Sequence, residues 1–191
     1  MQDRQQIRKQ IRAKRKELSS EQRQIAADQA ANNLFQLEIF QQSQHIACYM
    51  AKGSEISTIA IIKKIWEEGK HCYLPIVRND KVGFLYFMEY LPEDKLEPDC
   101  FGILEPIYNA KKCIAAEDLD LVIMPLTAFD FAGNRIGTGG GYYDRTFSFL
   151  KNKSGLHKPY LLGLAYSFQK IPKIESAEWD IKMNAVVTDL G

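Results

Sequence analysis

The chain has 191 residues, 46% hydrophobic and 11% aromatic, enough to bury a sizeable core as one domain and too apolar for a disordered segment. Twenty-five Lys and Arg against 24 Asp and Glu leave a net charge of +1, which argues against a general nucleic-acid or membrane binder, so a charged ligand must be met locally. No apolar run approaches the ~20 residues that span a bilayer, and the N-terminus lacks the apolar stretch of a secretory signal. Cys48, Cys72, Cys100 and Cys113 form no CxxC pair and have no histidine at zinc-ligand spacing, so free thiols in a cytoplasmic protein are expected. A monomer is the expected state, though no feature of the sequence reveals it.

The opening MQDRQQIRKQIRAKRKEL has the arginine-rich, amphipathic character of some mitochondrial transit peptides, but Asp3, the lack of serine before Ser19 and the run into a helix start favour a folded segment. At 100° per residue, Ile7, Ile11 and Leu18 share one stripe of this helix, and Arg4, Arg8, Arg12 and Arg15 form a ridge beside it. Ser19 followed by Gln22 fits a capping box, which starts a second helix near Glu21.

HIACYMA (45–51) reads as a buried strand, GSE as a turn with Ser54 or a neighbour as cap, IAIIKKIWEEGK as a helix ending at Gly69, and HCYLPIV as the next strand. That order is a βαβ unit and implies a parallel sheet with a right-handed crossover. KVGFLYFMEYL follows as an antiparallel edge strand, and 91–118, containing FGILEP (101–106), reads as a long ordered loop, of a length that tends to be functional. DLVIMPL (120–126) is the clearest central strand, and FDFAGNR suggests a short hairpin around Ala132–Gly133–Asn134. Beyond the glycines, YYDRTFSFLKN suits a helix from about Tyr142, YLLGLAY (160–166) a buried strand, QKIPKIESAEWDIKM an irregular connection and NAVVTDL a last strand. The fold class is α/β: a three-layer, Rossmann-like domain over 1–191, with a mostly parallel sheet flanked by helices.

The stretch NRIGTGGGYYDR (134–145) packs four glycines into five positions. GxxxxGK[ST] fails because no lysine follows the glycines, and GxGxxG fails because Tyr142 stands where the third glycine would be. A mobile turn is one reading. The other is an anion site, since a glycine loop running into a helix start presents unpaired N–H groups and Arg135 adds a guanidinium fork for phosphate. Asp144 suits either its own helix N-terminus or a Mg²⁺ bridging phosphate oxygens. Tyr143 fits core packing as well as function, whereas Tyr142 is better placed to face a ligand. The arginine ridge is either a solvated face or, through Arg4 and Arg8, a clamp over nucleotide phosphates.

The N-terminal RxxIR helix, YMAKGSEIST, FGILEP, MPLTAFDFAGNRIGTGGGYYDR and the later EWD together resemble the 5-formyltetrahydrofolate cyclo-ligase family, over essentially the whole chain. The resemblance implies an ATP- and Mg²⁺-dependent ligase that converts 5-formyltetrahydrofolate into 5,10-methenyltetrahydrofolate, ADP and phosphate. It implies nucleotide contacts from Arg4, Gln5, Gln6, Ile7 and Arg8 and from Arg135, Ile136, Gly137, Thr138, Gly139, Gly140, Gly141, Tyr142 and Tyr143. Thr138 to Tyr142 would also meet the folate, together with Met50, Glu55 and Phe101. Asp144 and Asp180 would hold the metal, and Arg135 and Tyr142 would act in catalysis.

Some relatives carry a lysine at Gly140 or a basic residue at Thr138, which leaves Arg135, Arg145, the N-terminal arginines and Mg²⁺ as candidates to neutralise the γ-phosphate. Met50 and Glu55 also fit ordinary core and helix-start roles, and Asp180 a surface acid. A sugar-phosphate isomerase or coenzyme-A transferase on a related fold is the alternative enzyme. An RNA-binding module is disfavoured by the neutral charge and the lack of an RRM or KH signature.

Overall fold

A computed structural model describes residues 3–77, 80–151 and 158–191. The chain opens with α1 (Arg4–Glu17) and α2 (Ser20–Phe35), followed by one further turn, α3 (Glu38–Gln42), that the sequence did not announce. The capping box is present: Gln22 N–H donates to Ser19 Oγ at 3.1 Å, and Ser19 N–H donates to Gln22 Oε1 at 2.8 Å, an N-terminal helix cap worth about 1 kcal/mol. Next come β1 (His45–Ala47), α4 (Ile59–Glu67), β2 (His71–Val77) and β3 (Leu85–Glu89). Thr58, not Ser54, precedes α4, and Gly69 at φ +67° lies just past its end.

The stretch expected as a long ordered loop carries short strands, a hairpin of β4 (Leu96–Pro98) and β5 (Leu104–Pro106), followed by β6 (Cys113–Ile114). Then come β7 (Leu121–Pro125), the ribbon β8 (Ala128–Phe129) with β9 (Arg135–Ile136), α5 (Tyr142–Thr146), β10 (Tyr160–Ala165) and β11 (Ala185–Thr188). The helix expected from Tyr142 is a five-residue turn continued by a 3₁₀ segment at Ser148–Lys151; Asn152, at its expected end, lies outside the described residues.

The main sheet has the order β11-β10-β7-β1-β2-β3-β6. The first five strands are parallel, β3 is antiparallel to β2, and β6 is antiparallel to β3. The parallel βαβ unit is therefore present, but β3 is not an edge, because β6 returns along its outer side. Alternation assigns the two faces. Ile46, Leu74, Leu121, Ile123, Leu162 and Leu164 pack with Ala27, Ala30, Leu34, Ile61 and Ile65 of α2 and α4. Ala47, Tyr73, Val122, Met124 and Leu161 face the other way, against Phe147, Ile181 and Met183.

This is a three-layer α/β architecture whose second outer layer is thin. Helix α1 stands apart, packing Ile7 and Ile11 on Ala128, Ile136 and Ile174. Arg15 continues that buried line at 5% exposure instead of belonging to the ridge, and its Nε has no partner among the described residues. The four cysteines are free. Among the described residues no helix is long and apolar enough to cross a membrane.

Candidate active site

From β1 the chain proceeds to β2 on one side, whereas β7, β10 and β11 fill the other side, so the order reverses between β1 and β7. Crevices form beyond the carboxyl ends of parallel strands at such a switch point. A cleft of ≈ 840 Å³ opens there, lined by Tyr49 and Met50 after β1, Pro75 and Val77 of β2 and Pro125 of β7. The glycine segment forms the facing wall.

That wall begins at Asp130, 3% exposed, which organises the turn between β8 and β9. Its carboxylate accepts hydrogen bonds from Ala132 N (2.9 Å), Asn134 N (3.0 Å), Asn134 Nδ2 (2.9 Å) and Ile174 N (2.8 Å). Burial pushes this carboxyl up, but the hydrogen bonds outweigh it and its pKa lies below the ordinary aspartate value. The aspartate of the Phe-Asp-x-x-Gly phrase thus delivers β9 and the glycines in register.

Beyond β9, arginines strap the loop by its carbonyls. Arg8 Nε donates to Gly137 O at 2.8 Å, Arg12 Nη2 to Thr138 O at 3.3 Å, and Arg145 Nη2 to Gly140 O. Gly139 (φ +120°) and Gly141 (φ +65°) adopt backbone conformations that favour glycine. None of the backbone N–H groups of residues 137–141 donates to an acceptor among the described residues. Five consecutive donors thus stand free beside a cleft, which suits an anion rather than a bare turn.

Arg135 is 8% exposed; its Nη1 donates to Ile181 O and its Nη2 to Asp144 Oδ1 at 2.9 Å. Asp180 pairs with Arg4, whose Nη2 also donates to Glu175 O at 2.6 Å, and accepts the Ala177 N–H at 2.8 Å. Burial raises the Asp180 carboxyl, yet Arg4 and the Ala177 N–H bring it below its ordinary value. Each carboxylate expected to hold metal therefore carries an arginine, and no group of three or more His, Cys, Asp or Glu side chains suits a metal among the described residues.

Opposite the loop, Lys52 N–H donates to Glu55 Oε2 at 3.0 Å and Lys52 Nζ donates to Phe101 O. The Phe101 ring meets the Tyr142 ring edge-on with centroids 6.1 Å apart. Tyr142 also lies under Arg145, 5.6 Å from its guanidinium. Tyr143 packs on Phe147 and also lines the cleft, with burial foremost and the Glu55 charge next in pushing its hydroxyl pKa up.

The structure thus gathers Arg4, Arg8, Met50, Glu55, Phe101, Arg135, Gly137 to Asp144 and Asp180 around one cleft. Gln5 and Gln6 are exposed away from it, while Ile7 and Ile136 are core. Sequence reasoning missed Lys52, Lys151 and Trp179, which also line the cleft. Lys52 and Trp179 stood within the motif phrases YMAKGSEIST and EWD, the available signal for them.

A model of the 5-formyltetrahydrofolate cyclo-ligase family matches residues 1–189. The 5-formyltetrahydrofolate cyclo-ligase of Haemophilus influenzae is 37% identical over 182 residues, 95% of each chain. That of Escherichia coli K12 is 34% identical over 178 residues, 93% of this chain and 96% of its own. Among solved structures, a 5,10-methenyltetrahydrofolate synthetase of Aquifex aeolicus superposes with a TM-score of 0.82 at 30% identity, covering 98% of this chain and 90% of that one. A synthetase of Mycoplasma pneumoniae, at 21% identity and a TM-score of 0.75, shares the fold.

Proposed function

The chain belongs to the 5-formyltetrahydrofolate cyclo-ligase family, and from that premise we propose that it closes 5-formyltetrahydrofolate to 5,10-methenyltetrahydrofolate, using ATP and Mg²⁺ and releasing ADP and phosphate. The observation that carries the reading is one cleft with two chemistries. Five free N–H groups and several arginines line one side, and Met50, Glu55 and Phe101 line the other.

In the proposed reaction the formyl oxygen takes the γ-phosphoryl group and the bond to ADP breaks. The anilino nitrogen then attacks the formyl carbon, the ring closes, the carbon–oxygen bond breaks with release of phosphate, and the nitrogen loses its proton. Such transfers rest on positioning and charge stabilisation. The loop N–H groups and Arg8 would take the phosphates, Tyr142 and Phe101 the folate rings, and Glu55 the amide-like edge of the pterin.

Asp144 and Asp180 fit Mg²⁺ because it favours one or two carboxylates with phosphate oxygens and water over a full protein cage. Bound there, it would neutralise phosphate charge. Arg4 would have to release Asp180, and Arg135 already shares Asp144 through one oxygen only. The family match over 1–189 supports a single domain.

The test incubates the purified protein with 5-formyltetrahydrofolate, Mg²⁺ and ATP and follows methenyltetrahydrofolate absorbance. Product that forms only with ATP is the expected result. No ATP-dependent product overturns the proposal; an isomerase or coenzyme-A transferase would have no need of ATP.

A further inference from the structure

Trp179 is 72% exposed and lines the cleft. Single exposed apolar residues are ordinary, but this one is mounted on a segment held at several points. Arg4 binds the Glu175 carbonyl, Lys151 binds the Glu178 carbonyl, and Ala177 and Asp180 bond to each other in both directions. The indole itself makes no hydrogen bond and no aromatic contact among the described residues. A rigidly mounted, unpartnered aromatic face at a cleft is how proteins present a platform to a flat ligand ring.

The cleft has a second exposed aromatic, Phe101 at 49%, and its ties differ. Phe101 meets Tyr142 and is held by Lys52, in the turn that carries Glu55. Trp179 instead directly precedes Asp180, the partner of Arg4. One aromatic thus belongs to the part assigned to the folate, and the other to the part assigned to the nucleotide.

We propose that the Trp179 indole is the stacking platform for the purine base of the nucleoside triphosphate. The inference rests on the nucleotide reading above and adds the group that would separate a purine nucleotide from phosphates alone. Stacking of a base on an aromatic side chain is worth enough to change affinity about tenfold or more on truncation to alanine.

The test titrates the protein, with Mg²⁺ present, with ATP and separately with tripolyphosphate, reading tryptophan fluorescence and calorimetric binding. Of the two tryptophans, Trp66 donates its Nε1–H to Tyr90 O at 2.8 Å and does not line the cleft. ATP should therefore quench the emission of the native protein, and Trp179→Phe should abolish the quench while keeping ATP affinity within a few-fold. Trp179→Ala should raise the Kd for ATP about tenfold and leave that for tripolyphosphate unchanged.

Unchanged ATP affinity in Trp179→Ala, or equal weakening of both ligands, would overturn the platform while leaving the phosphate site standing. Failure of the native protein to bind either ligand would overturn the nucleotide reading, and the platform with it.

Discussion

Arg135 Nη2 lies 2.9 Å from Asp144 Oδ1, and the same oxygen accepts the Ile181 N–H at 3.1 Å. One carboxylate oxygen therefore joins the ribbon strand β9, the start of α5 and the segment leading to β11. Arg135 completes the ring of contacts through the Ile181 carbonyl.

This geometry separates the structural and metal roles of Asp144. Asp144→Ala leaves a guanidinium whose side chain is only 5% exposed without its counter-charge, and about 2 kcal/mol of stability should be lost in urea unfolding. Asp144→Asn retains an oxygen for Arg135 and Ile181 and should lose less than half of that. It should still need severalfold more Mg²⁺ for half-maximal rate; full activity at limiting Mg²⁺ would refute the metal assignment.

Asp130 makes a pH prediction. Its native pKa lies below the ordinary value of 3.8, so the native state favours its charged form more than the unfolded chain does. The stability it contributes is complete above the ordinary value and is lost as pH falls through the depressed native value. Asp130→Asn should be less stable at neutral pH by about 1–3 kcal/mol and should show a shallower loss between pH ~4 and the acid transition. Parallel pH–stability curves for the two proteins would contradict the assignment.

The loop glycines should differ in their tolerance of a methyl group. At Gly141, with φ +65°, an added Cβ would stand 3.0 Å from Arg145 Nη1, and Gly141→Ala should cost about 1–2 kcal/mol together with most of the activity. A Cβ at Gly137 meets nothing within 4 Å, so Gly137→Ala should leave stability within about 0.5 kcal/mol. Thermal melts of the pair decide this.

The arginine straps should divide by ligand. Arg8 holds the Gly137 carbonyl, and Arg8→Ala should raise the KM for ATP about tenfold with little change for the folate. Arg145 holds Gly140 and covers the Tyr142 ring, so Arg145→Ala should raise both KM values. Steady-state kinetics with each substrate varied in turn would expose a failure of either pattern.

Much of the fold was legible because its signals are local. The Ser19 capping box, the apolar periods of the strands and the turn at Ala132–Gly133–Asn134 all lie within a few residues of what they organise. The glycine loop was legible as a candidate site because four glycines in five positions are more than a turn needs, and the structure places them along the cleft. Arg15 was misassigned to the exposed ridge because it stands four residues after Ile11, itself four after Ile7, and so lies on the buried stripe, where an arginine is rarely expected. The edge assignment of β3 failed because β6 is only two residues long, too short to show a period.

By itself the sequence determined the α/β class, the βαβ unit, the capped start of α2 and the family phrases. All of these rest on the chemistry of neighbouring residues and the periods of helix and strand. Only the tertiary structure decided where the arginines reach: Arg8 to Gly137, 129 positions away, and Arg4 to Asp180, 176 positions away. It also decided that the turn after β1 faces the glycine loop, because strand order reverses between β1 and β7. Pairings over such distances depend on which strands lie side by side, and no local spacing records that.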